Sequence, residues 1–174
     1  LDITLSSKHN ITSGKIYQEM VTRERRGDYL GKTVQIIPHG SDLVIELLES
    51  ISKIQVDGTS EKPEICLVEI GGTVGDIESM LFLEAVRQFQ FKVGKESVMF
   101  IHVSLVPRLG SIDEQKTKPT QHTVKELRSL GINPDMIVVR STNEILDSTK
   151  SKISSFCHIN PSHVISVHDV ANIY

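Results

Sequence analysis

Apolar residues recur along this chain in two periods, one typical of amphipathic helices and one typical of strands. Helical spacing predicts a first helix that enters from Thr12 or Ser13 and buries Ile16. Further helices are predicted over the apolar stripes at 43–51, 77–89, 124–130 and 148–156, and strands at 33–37, 65–68, 98–106, 136–139 and 164–167. The alternation of strands and helices predicts an α/β fold, a three-layer domain with a mostly parallel sheet. The Gly-, Ser- and charge-rich stretch 55–63 is predicted to be a surface loop.

A glycine-rich segment follows the predicted strand 65–68 and is the most informative part of the chain. Residues 69–79 read EIGGTVGDIES, with three glycines and three carboxylates in ten positions. Glycines let the backbone turn sharply and approach a ligand. Glu69 would lie at the carboxyl end of a strand, where open α/β sheets place ligands, and its oxygens suit Mg²⁺. The alternative is an ordinary strand-to-helix loop in which Asp76 caps the next helix.

A second polar segment, KTKPTQH at 116–122, lies between the predicted strand 98–106 and the helical pattern that follows it. Lysine binds phosphate as a point charge, and a helix N-terminus also favours anions. Glutamine offers a paired donor and acceptor that suit the edge of a base or a sugar. The segment therefore predicts a site for a phosphorylated ligand.

Composition narrows the class of protein. The chain has 174 residues, 39% of them hydrophobic and 24% charged, which is ordinary for one globular domain. A net charge of −3 argues against nucleic acid or an anionic membrane as the main partner. Cys66 in a strand pattern and Cys157 in a helical one are expected to be buried thiols in a reducing compartment. With no signal peptide and no membrane-spanning run, we expect a cytoplasmic protein.

Five strings together resemble the synthetase (amidoligase) domain of CTP synthase. They are EIGGTVGDIES at 69–79, KTKPTQH at 116–122, ERRGDYLG at 24–31, TVQIIPH at 33–39 and HDV at 168–170. The resemblance extends from Asn10 to Tyr174, except that 40–62 looks more divergent, and the string RQFQFKV at 87–93 looks eukaryotic. It implies a P-loop-NTPase-like, dethiobiotin-synthetase-like amidoligase fold, of which this chain forms one part.

The resemblance also implies a reaction and partners. These are the ATP-dependent amination of UTP to CTP through a 4-phosphorylated UTP, as the last step of de novo CTP biosynthesis. Mg²⁺ is the implied cofactor, and ammonia is expected from glutamine through a glutaminase domain of the same polypeptide. The sequence has no Gly-x-x-x-x-Gly-Lys-Ser/Thr loop and no glutaminase segment. We therefore expect an internal fragment that is inactive by itself.

Residue roles follow from the same resemblance. It places the UTP site at Lys116, Thr117, Lys118, Pro119, Thr120, Gln121 and Lys152, with Lys116 and Lys118 as the catalytic residues. It places feedback inhibition by CTP at Asp76, Ile77, Glu78, Glu84 and Arg87, ATP binding at His168, Asp169 and Val170, and Mg²⁺ at Glu69. A carboxylate near the base accepts from the cytosine amino group, whereas uracil has a carbonyl there.

Simpler interpretations remain open for several of these residues. Glu84 and Arg87 have the spacing of a surface ion pair, and a helical lysine such as Lys152 is usually solvated. A related ligase that activates carboxylates would share the architecture without the string KTKPTQ. The chain could instead act as an assembly or regulatory module, since the resemblance implies homotetramers and in some members filaments. Ile36, Ile37 and the helix 77–89 are the candidate contacts.

Overall fold

The computed structural model of the chain describes residues 3–109 and 114–172. Their contacts divide the chain into two units, Leu1–Phe89 and Gln90–Tyr174. The expectation of a single domain therefore stays a prediction. No helix in the described part of the chain is both long enough and apolar enough to cross a bilayer.

The first unit is built on helices α1 (Ser13–Arg26), α2 (Ser41–Ile51) and most of α3 (Met80–Val93). Helix α1 begins where the sequence predicts, because Thr12 accepts a hydrogen bond from the Lys15 amide at 3.3 Å. The apolar stripes of the three helices meet in one core, made of Ile16, Met20, Leu43, Val44, Ile45, Leu48, Leu81 and Ala85. The predicted helices are confirmed, but α3 begins after Ile77, which is 91% exposed in the preceding turn.

The second unit contains a parallel sheet in the order β1 (Ile101–Leu105), β4 (Met136–Ser141), β5 (Val164–His168). Helix α4 (Lys118–Ser129) connects β1 to β4, and α5 (Asp147–Cys157) connects β4 to β5. A short antiparallel hairpin, β2 (Arg108–Leu109) and β3 (Glu114–Gln115), lies between β1 and α4. The predicted α/β class with a parallel sheet is confirmed.

Side chains alternate between the two faces of this sheet, as period-2 strands require. One face packs on α4 and α5 through a core of Val106, Val124, Ile137, Val139, Ile145, Ile153, Cys157 and Val164. The opposite face carries Val103 and Leu105, which are 61% and 60% exposed. Cys157 is buried, as expected from the sequence, and this burial raises the pKa of its thiol.

Two predicted strands are wrong. Residues 33–35 have no regular structure and continue into a short, kinked π-helical segment at Ile36–Gly40, while 65–70 carry neither helix nor strand. Leu67 is 86% exposed, and Cys66 is exposed rather than buried. A strand exists only where a neighbouring backbone supplies its hydrogen bonds, and neither segment has such a neighbour among the described residues. Apolar composition alone did not create the pairing.

A buried polar layer joins β1 to α4. His102 is 7% exposed, and its Nε2 lies 2.8 Å from Thr123 Oγ1. Ser104 donates to Thr120 Oγ1 at 2.9 Å. Burial lowers the pKa of His102 below its ordinary value, because the imidazolium would be desolvated between the strand and the helix.

This burial predicts that acid weakens the fold. The neutral imidazole is favoured in the folded state, whereas the unfolded chain takes up a proton below a pH of about 6.5. The free energy of unfolding is therefore at its full value above that pH. It falls as the pH drops toward the lowered pKa of the folded state, by at most about 1.4 kcal/mol per pH unit. Urea unfolding at pH 7.5 and 5.5, followed by circular dichroism, measures the difference.

His102→Gln should remove most of this pH dependence, because glutamine keeps a polar side chain that does not titrate. His163→Gln is the matched control, since it removes an exposed histidine of the same unit. An unchanged pH dependence in His102→Gln would contradict the assignment to His102.

Candidate functional site

The carboxyl ends of the three parallel strands gather most of the predicted site residues of the second unit. Leu105 pairs with Arg140, and Ser141 pairs with His168, so the strands end at one edge of the sheet. The segments that follow β1, β4 and β5 lead to 116–121, to the start of α5 and to 169–170. Open α/β sheets bind ligands at this edge.

The start of α4 separates buried threonines from exposed lysines. Thr117 is 3% exposed and accepts from Gln121 Nε2 at 2.9 Å, while Thr120 is fully buried against Ser104. The side chains of Lys116, Lys118 and Pro119 are partly or fully open to solvent. The two threonines anchor the start of the helix, whereas the ammonium groups of Lys116 and Lys118 remain accessible to solvent.

Lys116 and Lys152 both act on Glu114. Lys116 Nζ donates to the Glu114 carboxylate, although both side chains are substantially exposed. The bond from Lys116, and at longer range the charge of Lys152, lower the pKa of Glu114. Glu114 therefore bonds to one candidate phosphate-binding lysine and is influenced by the charge of a second.

Lys118 lies against an aromatic ring of α5. Its Nζ lies 5.5 Å from the ring centre of Phe156 on α5, within the range of a cation–π contact. Gln121 and Phe156 line a shallow groove of about 290 Å³ between α4 and α5. The catalytic roles of Lys116 and Lys118 stay predictions.

Gln115 is a buried residue of the site that sequence reasoning missed. Its side chain donates to the Glu144 carbonyl at 3.0 Å and accepts from the Leu146 amide at 3.0 Å. It thereby ties β3 to the turn before α5. The sequence carries no signal for this role, because a glutamine between two charged residues is normally at the surface.

The end of β5 holds the residues predicted to bind ATP. The Asp169 amide donates to the Ser141 carbonyl at 3.2 Å, and the Asp169 carboxylate accepts from Arg140 at 3.0 Å. His168 is the last residue of β5 and Val170 is 53% exposed. Arg140 is a second residue that sequence reasoning missed, since its partner is 29 positions away.

In the first unit, the glycine-rich segment forms consecutive turns. Gly72 and Gly75 have φ angles of 95° and 101°, a region that side-chain-bearing residues rarely occupy. Ser79 is 3% exposed and donates to the carbonyls of Thr73 and Asp76, so it fixes the turns at the start of α3. Asp76 takes part in these bonds through its backbone carbonyl, and not through the carboxylate that a helix cap would use.

The predicted inhibitor-binding residues divide into an exposed group and a paired group. Asp76, Ile77 and Glu78 are all exposed on the turns. Glu84 accepts two hydrogen bonds from Arg87, at 2.9 and 2.6 Å, and one from Gln88. Glu84 and Arg87 therefore form the ion pair that their spacing predicts, and Arg87 lowers the pKa of Glu84.

Glu69 is exposed in an irregular segment, so the argument that placed it at a strand end is lost. No group of three or more histidine, cysteine, aspartate or glutamate side chains forms a metal site among residues 3–109 and 114–172. The donor chemistry still suits Mg²⁺, which commonly takes one or two carboxylates and completes its shell with water and substrate phosphates.

Comparison with known proteins identifies the family. The family described as CTP synthase N-terminus matches residues 1–174. The chain is 57% identical over 174 residues to human CTP synthase 2, and covers 30% of that protein. It is likewise 57% identical to CTP synthase 2 of Saccharomyces cerevisiae, covering 30% of it, and 54% identical to CTP synthase of Dictyostelium discoideum, covering 31%. The chain, which spans under a third of these relatives, belongs to the CTP synthase family and corresponds to part of its N-terminal region.

Proposed function

We propose that this chain contributes the pyrimidine-nucleotide site of a CTP synthase. The observation that carries the proposal is the position of 116–121 at the start of α4, beside the carboxyl ends of parallel strands. Half-buried Lys116 bonds there to the Glu114 carboxylate, whose pKa the charge of Lys152 also lowers. Such an arrangement suits the triphosphate of a nucleotide.

The reaction is the amination of UTP. The uracil O4 attacks the γ-phosphorus of ATP, which forms 4-phosphoryl-UTP and releases ADP. Ammonia then attacks C4, the C–O bond to phosphate breaks, and loss of protons leaves CTP and inorganic phosphate. Phosphoryl transfer depends on alignment and charge neutralisation, which cationic side chains supply.

Each candidate residue has a role in this scheme. Lys116 and Lys152 bind the triphosphate of UTP, and Gln121 helps to orient the nucleotide from the first turn of α4. Lys118 stays above Phe156 in this structure, and in the proposal it turns toward the phosphates when they bind. Thr117 and Thr120 hold the helix start in place, with Pro119 in its first turn.

ATP binding is assigned to 168–170 in the second unit, and the metal to Glu69 in the first. Asp169, held by Arg140, fixes the backbone beside His168 and Val170, where the adenine would bind. Glu69 would supply one oxygen ligand to Mg²⁺, and the phosphates would supply others. When bound, the ion neutralises the developing charge on the transferred phosphoryl group.

Control by the product is assigned to the glycine-rich turns of the first unit. Exposed Asp76, Ile77 and Glu78 would contact the ribose and cytosine of CTP. Glu78 is proposed to accept from the cytosine amino group or the ribose hydroxyls. Glu84 and Arg87, already paired with each other, would shape the pocket.

The remaining activities are proposed for the whole protein. Since the chain covers 30% of its human relative, we propose that a glutaminase domain supplies ammonia and that these 174 residues alone do not complete the reaction. We also propose a cytoplasmic homotetramer able to form filaments. Ile36 and Ile37, each 49% exposed, are candidate contacts, whereas Leu81, Leu83 and Ala85 of α3 are buried in the core of their own unit.

Glu69→Ala tests the metal assignment in a full-length protein that carries this sequence. Loss of an oxygen ligand should lower ATP-dependent CTP formation by more than about a hundredfold. Glu64→Ala removes another exposed carboxylate nearby in sequence and should have little effect. Near-normal turnover of Glu69→Ala at saturating Mg²⁺ and ATP would rule the assignment out.

Glu78→Ala tests the separation of inhibitor from substrate in the same full-length protein. It should raise the inhibition constant of CTP roughly tenfold to a hundredfold, because one acceptor specific to CTP is lost. The KM for UTP should change little. Steady-state rates with varied UTP at several fixed CTP concentrations measure both constants.

Lys116→Ala is the matched comparison for this experiment. It should weaken UTP and CTP together, because both nucleotides carry the triphosphate. Equal losses of UTP and CTP binding in Glu78→Ala would mean that the carboxylate serves the shared part of the site, which contradicts the assignment.

A further inference from the structure

The side chain of Gln115 lies inside the hairpin region rather than on its surface. Glu114, Gln115 and Lys116 alternate as exposed, buried and half-buried, as an extended segment requires. Gln115 is 7% exposed, and each end of its amide makes a hydrogen bond of 3.0 Å. Both partners, the Glu144 carbonyl and the Leu146 amide, lie immediately before α5.

We propose that Gln115 is a positioning residue for UTP. It joins the strand that continues into Lys116 to the start of the helix that carries Lys152, and so fixes the spacing of these two lysines. The inference rests on the proposed function of the two lysines in binding the triphosphate. Gln115 itself points inward and touches no ligand.

Further contacts tie this segment to β2 and to α4. Strand β3 has two residues and pairs with β2, where Gln115 is opposite Arg108. The Lys116 amide donates to the Pro107 carbonyl at 2.9 Å, and Thr117 begins the buried anchor of α4. The two side-chain hydrogen bonds of Gln115 connect this segment to the turn before α5.

Glu114, next to Gln115, interacts electrostatically with both lysines. Glu114 bonds to Lys116, and the charge of Lys152 also lowers the pKa of Glu114. A triphosphate that displaced the Glu114 carboxylate would contact both Lys116 and Lys152 only if the distance between the two lysines is maintained. A buried amide is suited to keep it, because leaving either of its ends unpaired is costly.

Gln115→Met tests the inference in a full-length protein that carries this sequence. Methionine has a similar length but makes neither hydrogen bond. The KM and the dissociation constant for UTP should rise roughly fivefold to fiftyfold, because the triphosphate then meets one of the two lysines less closely. The kcat at saturating UTP should change less than about twofold, because binding is lost equally in the ground and transition states. The KM for ATP should stay the same.

A double-mutant cycle with Lys152→Ala separates positioning from general destabilisation. If Gln115 acts through the spacing of the lysines, Gln115→Met should have less than about a twofold effect on UTP binding once Lys152 is absent. Independent effects would instead multiply. Multiplying effects, or a loss confined to kcat, would overturn the proposal.

Two further variants keep the test decisive. Gln115→Asn has the same amide one methylene shorter, so it should give an intermediate rise in the UTP constants and serves if the methionine variant does not fold. Ser154→Ala removes a buried hydrogen bond of α5, from Ser154 to the Ile159 carbonyl at 2.6 Å, and should leave UTP binding unchanged at a similar cost in melting temperature. Unchanged UTP constants in both Gln115 variants would refute the positioning role.

Lys116→Ala distinguishes this failure from failure of the proposed function. Unchanged UTP binding in Lys116→Ala would remove the triphosphate site itself, and the positioning role with it. Weaker binding in Lys116→Ala together with normal binding in the Gln115 variants would refute only the role of Gln115.

Discussion

Parallel hydrogen bonding among β1, β4 and β5 is the constraint on which the candidate site depends. Parallel strands enter the sheet from the same side, so their following segments all emerge at one edge. That edge gathers three separated parts of the sequence: 116–121, the turn before α5, and 168–170. Pairing of the strands thereby brings together cationic and polar side chains that are far apart in sequence, and this does not require the side chains to contact one another.

Buried polar groups then give this edge its detailed shape. Thr117, Thr120 and Gln115 are all below 10% exposure, and each is satisfied by a hydrogen bond within the second unit. A buried polar group without a partner is costly, so these bonds select one arrangement of the loops. Lys116 and Lys118 remain at the surface as a result, where solvent and an anionic ligand can reach them.

The local pattern of apolar residues was sufficient to predict the helices and the strands that pair in the parallel sheet. The stripes of α1, α2 and α5 need only side-chain spacing within a few turns, so sequence predicted them closely. The apolar runs at 33–37 and 65–68 were predicted as strands and are not, because pairing depends on a second backbone. Glu69 lost its strand-end argument for the same reason.

The sequence by itself determined the family, the α/β class and the string from Lys116 to Gln121, since long motifs and hydrophobic periods are properties of neighbouring residues. Tertiary structure alone decided which polar side chains became internal. Gln115 reaches a turn about 30 positions away, and Arg140 pairs with Asp169 across a similar separation. Such bonds depend on the relative positions of distant segments. The folded sheet determines these positions, and no local sequence pattern encodes them.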